Sequence, residues 1–291
     1  MMKSPRFKNI ILRALILLLT SATAGAVTPD NQMRYKPEDV SRLEEVLPKV
    51  KAMDGLTPGE RLAATARLFM DTPYVAGSLE IEPEMLTFSL TGTDCILFVE
   101  MCVALGLTVD NGGSGIEDYA EEVRQLRYRD GTVDGYASRL HYTSEWMAQA
   151  EARGILREIT SEIGGIPFDQ KFNFMSTHPQ AYKQLSDSPS ETARIRKAEK
   201  ALEARQYHYI PKDALTASLD KLQDGDIVCF TCGISGLDIA HLGIALHDRD
   251  GRLTFIHASS TGKKVLIQKG TIGSYISGIK RFTGLRVIRP L

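Results

Sequence analysis

The hydrophobic period of this chain changes once, near residue 210, and the change sets its fold class. Downstream, apolar residues alternate in short runs: Asp226-Ile-Val-Cys-Phe-Thr231, Ala240-His-Leu-Gly-Ile-Ala-Leu-His247 and Arg252-Leu-Thr-Phe-Ile-His257 each read as a strand. Asp248-Arg-Asp-Gly251 is a turn, so the second and third runs are expected to lie antiparallel. Lys264 to Gln268 reads as a fourth strand and Arg286 to Arg289 as a fifth.

Upstream, the signals are helical. Thr57-Pro58-Gly59-Glu60 is a capping box with proline in the first turn, and the helix it opens runs through Leu62, Ala66 and Phe69. Thr93 or Asp94 can cap the apolar run from Cys95 to Leu107, which puts Cys95 in the first turn of a buried helix. Further helices start at Ser114-Gly-Ile-Glu117, Thr143-Ser-Glu-Trp146 and Ser188-Pro189-Ser190-Glu191. Helices first and an antiparallel sheet later make an α+β chain. No linker divides it, so residues 27–291 are expected to form one domain, with about 111–210 a mainly helical insertion between the Cys95 helix and the sheet.

Residues 1–26 follow a different logic. Lys3, Arg6, Lys8 and Arg13 precede the apolar run Ala14-Leu-Ile-Leu-Leu-Leu19, and small residues end at Ala24-Gly25-Ala26. That order is a secretory signal peptide, with an apolar run too short for a stable membrane anchor. The mature protein is therefore expected in the periplasm or secreted, with no stable membrane insertion. The full 291-residue sequence is 43% hydrophobic, enough for a sizeable core, and its formal net charge of −1 gives no overall attraction to nucleic acid.

The chemistry lies in the cysteines and histidines. A thiol becomes nucleophilic when ionised, and free N–H groups at a helix start favour the thiolate and can also hold an oxyanion. Cys95 is expected to have that setting. His241 and His257 sit on the two strands joined by the 248–251 turn. A turn centred on Arg249 and Asp250 brings His241 near residue 258, almost opposite His257. One imidazole can then serve as base while the other fixes its ring and tautomer.

Thr93-Asp-Cys95, His241-Leu-Gly-Ile244, Phe255-Ile-His-Ala-Ser259 and Asp224-Gly-Asp-Ile227 together resemble the papain-like NlpC cell-wall hydrolases. Thr72-Pro-Tyr-Val-Ala-Gly77, Asp94-Cys-Ile-Leu-Phe-Val-Glu100, Ser138-Arg-Leu-His-Tyr142 with Trp146, and Tyr207-His-Tyr-Ile-Pro211 narrow the resemblance to their N-acetylmuramoyl-L-alanine amidase-like branch. The resemblance runs from about residue 57 to the C-terminus. It implies a papain-like NlpC-type fold, a triad of Cys95, His241 and His257, no cofactor and no metal. The implied partners are muropeptides, including forms ending in 1,6-anhydro-muramic acid. It also raises Tyr74, Asp94, Arg139, His141 and Tyr142 as substrate contacts; an arginine can hold a substrate carboxylate through two parallel hydrogen bonds.

Other readings stand beside this one. Cys102 lies two turns beyond Cys95 and reads as core. Cys229 and Cys232 read as two unpaired thiols, with a local disulfide or, together with His241 and His257, a zinc set as the alternatives. The same triad also suits an endopeptidase cutting between γ-D-glutamate and diaminopimelate, and a zinc-stapled or otherwise non-catalytic wall-binding module is a further alternative. The sequence leaves the oligomeric state open.

Overall fold

The computed structural model describes residues 33–291 together with the backbone of Val27–Thr28; the expected signal peptide at 1–26 lies outside the described residues. In chain order, β1 (Val27–Thr28) and β2 (Met33–Arg34) lead to helices α1 (Pro37–Lys51) and α2 (Pro58–Arg67), then β3 (Leu86–Thr87) and α3 (Cys95–Asp110). There follow α4 (Ile116–Arg127), α5 (Thr143–Ala152), β4 (Leu156–Glu158), β5 (Ile166–Phe168), α6 (Phe174–Thr177), α7 (Lys183–Ser186) and α8 (Pro189–Glu203). The last third holds β6 (Tyr207–Pro211), α9 (Thr216–Leu219), β7 (Ile227–Cys232), β8 (Ile239–His247), β9 (Leu253–Ser259), β10 (Lys264–Ile267), α10 (Ile272–Gly278) and β11 (Phe282–Pro290). The result is an α+β fold, with helices leading into an antiparallel sheet.

The large sheet runs β10-β9-β8-β7-β11-β6-β5, with β4 also paired to β11, and its pairings are antiparallel. Side chains alternate across it, as a strand period of two requires. Leu242, Ile244, Ile256 and Ala258 face α3 and share a core with its Phe98, Val99, Met101 and Leu105. Phe230, Ala245, Phe255 and Phe282 face the other way, onto Ile272 and Ile276 of α10. Helix α3 is apolar nearly all round, and residues 98–105 are all buried because α1, α2 and α4 close it from behind. No helix among the described residues is long and apolar enough to cross a membrane.

The structure shifts some sequence expectations. The fifth expected strand, at Arg286–Arg289, is the middle of a nine-residue strand, β11. Region 111–210 is helical for much of its length but also supplies β4 and β5, three residues each. Such short runs carry no readable period. Arg286, 2% exposed, ties this region to the sheet: its Nε and Nη2 donate to Glu158 at 2.9 and 2.8 Å. All four cysteines are free thiols, so the 229–232 disulfide does not form.

Candidate active site

The site joins the start of α3 to strands β8 and β9. Asp94 caps the helix, its carboxylate accepting the Leu97 N–H at 3.0 Å, so Cys95 is the first helical residue. The backbone N–H groups of Leu242, Ile96 and Cys95 itself face the thiol and favour its charged form. The first of these belongs to the residue after His241, which sets the thiol against β8. Tyr74 is bridged to Thr93 beside it, and burial, then Cys95, then Asp94 raise the pKa of its phenol.

The resting charge state differs from the sequence expectation of a thiolate. Burial first, and the adjacent Asp94 carboxylate second, push the Cys95 thiol up to about 12, against the pull of the backbone donors. Burial, then His257 and then Arg281, lower His241 to about 3, and burial lowers His257 to about 4. Near neutrality all three groups are uncharged. Desolvation dominates at the histidines because the imidazoles sit among aromatic rings: Phe230 stacks on His241 at 6.0 Å and Phe255 lies 4.6 Å from His257, centre to centre.

Strand register brings the histidines together. Ala245 pairs with Phe255 and Ile244 with Ile256; continuing that register sets Gly243 opposite His257 and His241 opposite Ser259. This is one residue away from the turn-based expectation. The shift places both histidines on one face as diagonal neighbours. Gly243 makes the approach possible: a Cβ there would lie 2.7 Å from the Ile256 carbonyl oxygen and 3.0 Å from the His257 Cβ.

The hydrogen bonds then fix the tautomers. The Gln268 amide nitrogen donates to the Lys269 carbonyl at 3.0 Å, so the Gln268 oxygen must be the atom facing His257. His257 Nε2–H donates to that oxygen at 3.2 Å, which leaves His257 Nδ1 as an acceptor. His241 Nε2 lies 2.6 Å from that Nδ1, and with both rings neutral it must be the donor. His241 Nδ1 therefore keeps its lone pair. A neutral imidazole aligned in this way can take a proton from a neutral thiol as the thiol attacks. No hydrogen bond joins the thiol to either imidazole in this resting geometry; such contacts often close only on substrate.

Of the remaining sequence candidates, Asp94, Arg139 and His141 line one cavity of about 180 Å³. Arg139 is 5% exposed, lies 3.1 Å from both Glu80 and Glu84 and over the Tyr136 ring, and its Nη2 has no hydrogen-bond partner. Burial holds His141 neutral, with a pKa near 3, and its Nε2 is 2.8 Å from the Tyr136 carbonyl. Tyr142 stands apart from the cavity. It is buried among Phe172, Met175 and Leu202, and its hydroxyl donates to Glu199 at 2.8 Å. Trp146 is buried core. Cys229 packs with the α3-side core, whereas His241 turns to the opposite face against Phe230. The two cysteines and two histidines of the zinc reading therefore do not converge, and among the described residues no three metal-ligating side chains gather. Gln268 was not found by sequence reasoning, and Gly243 entered it only as part of the His-Leu-Gly step.

The site thus sets a helix-start thiol against an antiparallel sheet that carries a hydrogen-bonded pair of histidines. Residues 64–283 match the family model for AmiA-like, N-acetylmuramoyl-L-alanine amidase-like proteins, and the chain belongs to that family. Among solved structures it is similar to an N-acetylmuramoyl-L-alanine amidase from Bacteroides uniformis, with 37% identity over 80% of this chain and 99% of that one and a TM-score of 0.76. It is also similar to a Bacteroides fragilis protein provisionally named a xylanase, with 39% identity over 77% of this chain and 98% of that one and a TM-score of 0.72. A Legionella pneumophila protein, 20% identical over 86% of this chain and 95% of its own, shares the fold with a TM-score of 0.64. No curated protein matches the chain.

Proposed function

We propose that the protein is a cysteine amidase that hydrolyses the bond between the lactyl carbonyl of N-acetylmuramic acid, in its 1,6-anhydro form, and the nitrogen of L-alanine in muropeptides. The observation that carries this reading, in a member of the amidase-like family, is the chain from His241 through His257 to Gln268, which leaves His241 Nδ1 as an acceptor on the strand whose next residue, Leu242, faces Cys95. A helix-start cysteine packed on a sheet that carries its base also supports a papain-like, NlpC-type architecture.

His241 takes the thiol proton as Cys95 Sγ attacks the carbonyl. The backbone N–H groups at the helix start hold the oxyanion. His241 returns the proton to the alanine nitrogen as the C–N bond breaks. Water, deprotonated by His241, then releases the muramoyl group and restores the thiol. Tyr74, Asp94, Arg139 and His141 line the acyl side, and Tyr142 braces that segment from behind. Residues 27–291 form the catalytic domain and residues 1–26 the export signal, which places the enzyme in the periplasm or outside the cell.

The test is mass spectrometry of the products from a defined anhydro-muropeptide. An intact stem peptide beginning with L-alanine, together with the peptide-free sugar, is the expected result. A sugar retaining L-alanyl-D-glutamate would instead establish the endopeptidase. Recovery of only a shortened glycan would point to a glycosidase.

A further inference from the structure

Two cavities of different charge lie at the candidate site, one beside the start of α3 and one beside the histidine pair. Asp94 and Ile96, on either side of Cys95 in the chain, line the first, with Glu80, Glu100, Arg127 and Arg139. There the carboxylates outnumber the guanidinium groups, and Glu100 and Arg127 neutralise each other through a bond of 3.0 Å. His241 and His257 line the second, which measures about 650 Å³. Its charged lining residues are Lys264, Lys269 and Arg281, with no aspartate or glutamate. Lys264 is engaged by Asp71 at 2.6 Å. Lys269 and Arg281 are exposed and, among the described residues, form no ion pair. Arg281 reaches the chemistry electrostatically, since its charge helps to hold His241 neutral.

We infer that the histidine-side cavity is a subsite for an anionic leaving group, a peptide bearing free carboxylates that Arg281 and Lys269 bind. This rests on the amide-hydrolase reading above and deepens it. In amide hydrolysis the base returns its proton to the departing nitrogen, so the leaving group must lie on the side of the base. Here that side is the cationic one. Two unpaired cations beside a buried neutral imidazole cost little at rest, because both face water. They gain charge-assisted hydrogen bonds when carboxylates arrive. The opposite cavity, rich in carboxylates, repels the same groups, so substrate enters in one direction.

The experiment measures binding of the free tripeptide L-alanyl-γ-D-glutamyl-diaminopimelate to the full-length Cys95→Ala protein by calorimetry, at low and high salt. A second peptide with its carboxylates amidated is the comparison. The tripeptide is expected to bind more tightly than its amidated form. Arg281→Gln should weaken it about tenfold and Lys269→Gln by less, with the preference over the amidated peptide lost in the double variant. Equal affinity for the two peptides, no binding of the tripeptide at millimolar concentration, or an affinity untouched by the double variant would overturn the subsite. Because this readout involves no bond cleavage, it separates from the product analysis that tests the amidase itself. Retained thermal melting of the double variant excludes misfolding as the cause of a loss.

Discussion

The two halves of the site are held in different ways. Cys95 is positioned by main chain: a helix start, its own N–H groups and that of Leu242. The histidines are positioned by side chains, through a run of hydrogen bonds from His241 to His257 to Gln268 and a surrounding set of aromatic rings. A main-chain cradle survives most substitutions around it. A side-chain relay fails at whichever link is cut. The nucleophile half should therefore be robust and the base half fragile.

Six substitutions at five positions probe that contrast. Cys95→Ala and His241→Ala are each expected to lower kcat by about ten-thousandfold or more with melting temperature little changed, read from muropeptide turnover and thermal melting. Comparable turnover in either would remove the central claim. Gly243→Ala comes next. The added methyl must displace either the Ile256 carbonyl or His257, so a loss of about 1–3 kcal/mol in denaturant unfolding should accompany roughly a hundredfold loss of activity. Stability without activity loss would show that the diagonal histidine contact does not matter.

Gln268 gives a smaller and signed effect. Its hydrogen bond raises the His257 pKa. Gln268→Met removes that support, so the acidic limb of the kcat/KM profile should move to lower pH, with kcat down about tenfold. Gln268→Glu places a negative charge there and should move the limb to higher pH. Shifts in the same direction would contradict the tautomer chain. Asp94→Asn is the mildest change. It keeps a helix cap but removes a charge that raises the Cys95 pKa, so iodoacetamide should alkylate Cys95 about threefold faster at pH 8. In the unmodified protein the alkylation rate should climb through the alkaline range without a neutral plateau.

What the sequence disclosed follows from the range of each interaction. The Thr57 and Asp94 caps were legible because a cap involves residues three apart. The main strands were legible from their alternation, and the Cys95–His241–His257 grouping from residue type and order. The histidine contact was legible only to within one residue, because turn geometry alone does not fix register; the packing of Leu242 and Ile244 against α3 does. Gln268 was invisible as a partner of His257. It follows β10, and the pairing of Leu266 with His257 is what carries it there. The raised thiol pKa was hidden for a similar reason. The helix start is local and argues for a thiolate, whereas the burial that outweighs it is assembled from distant segments. Arg139 read as a surface clamp, but Glu80 and Glu84, far off in sequence, draw it inward.

The protonated resting thiol has a consequence beyond turnover. Oxidants attack thiolates, and a thiol held near 12 presents almost none at neutral pH. The helix-start sulfur is thus chemically quiet until a carbonyl and a base meet it together. Peroxide should therefore oxidise it more slowly at neutral pH than it oxidises a free cysteine.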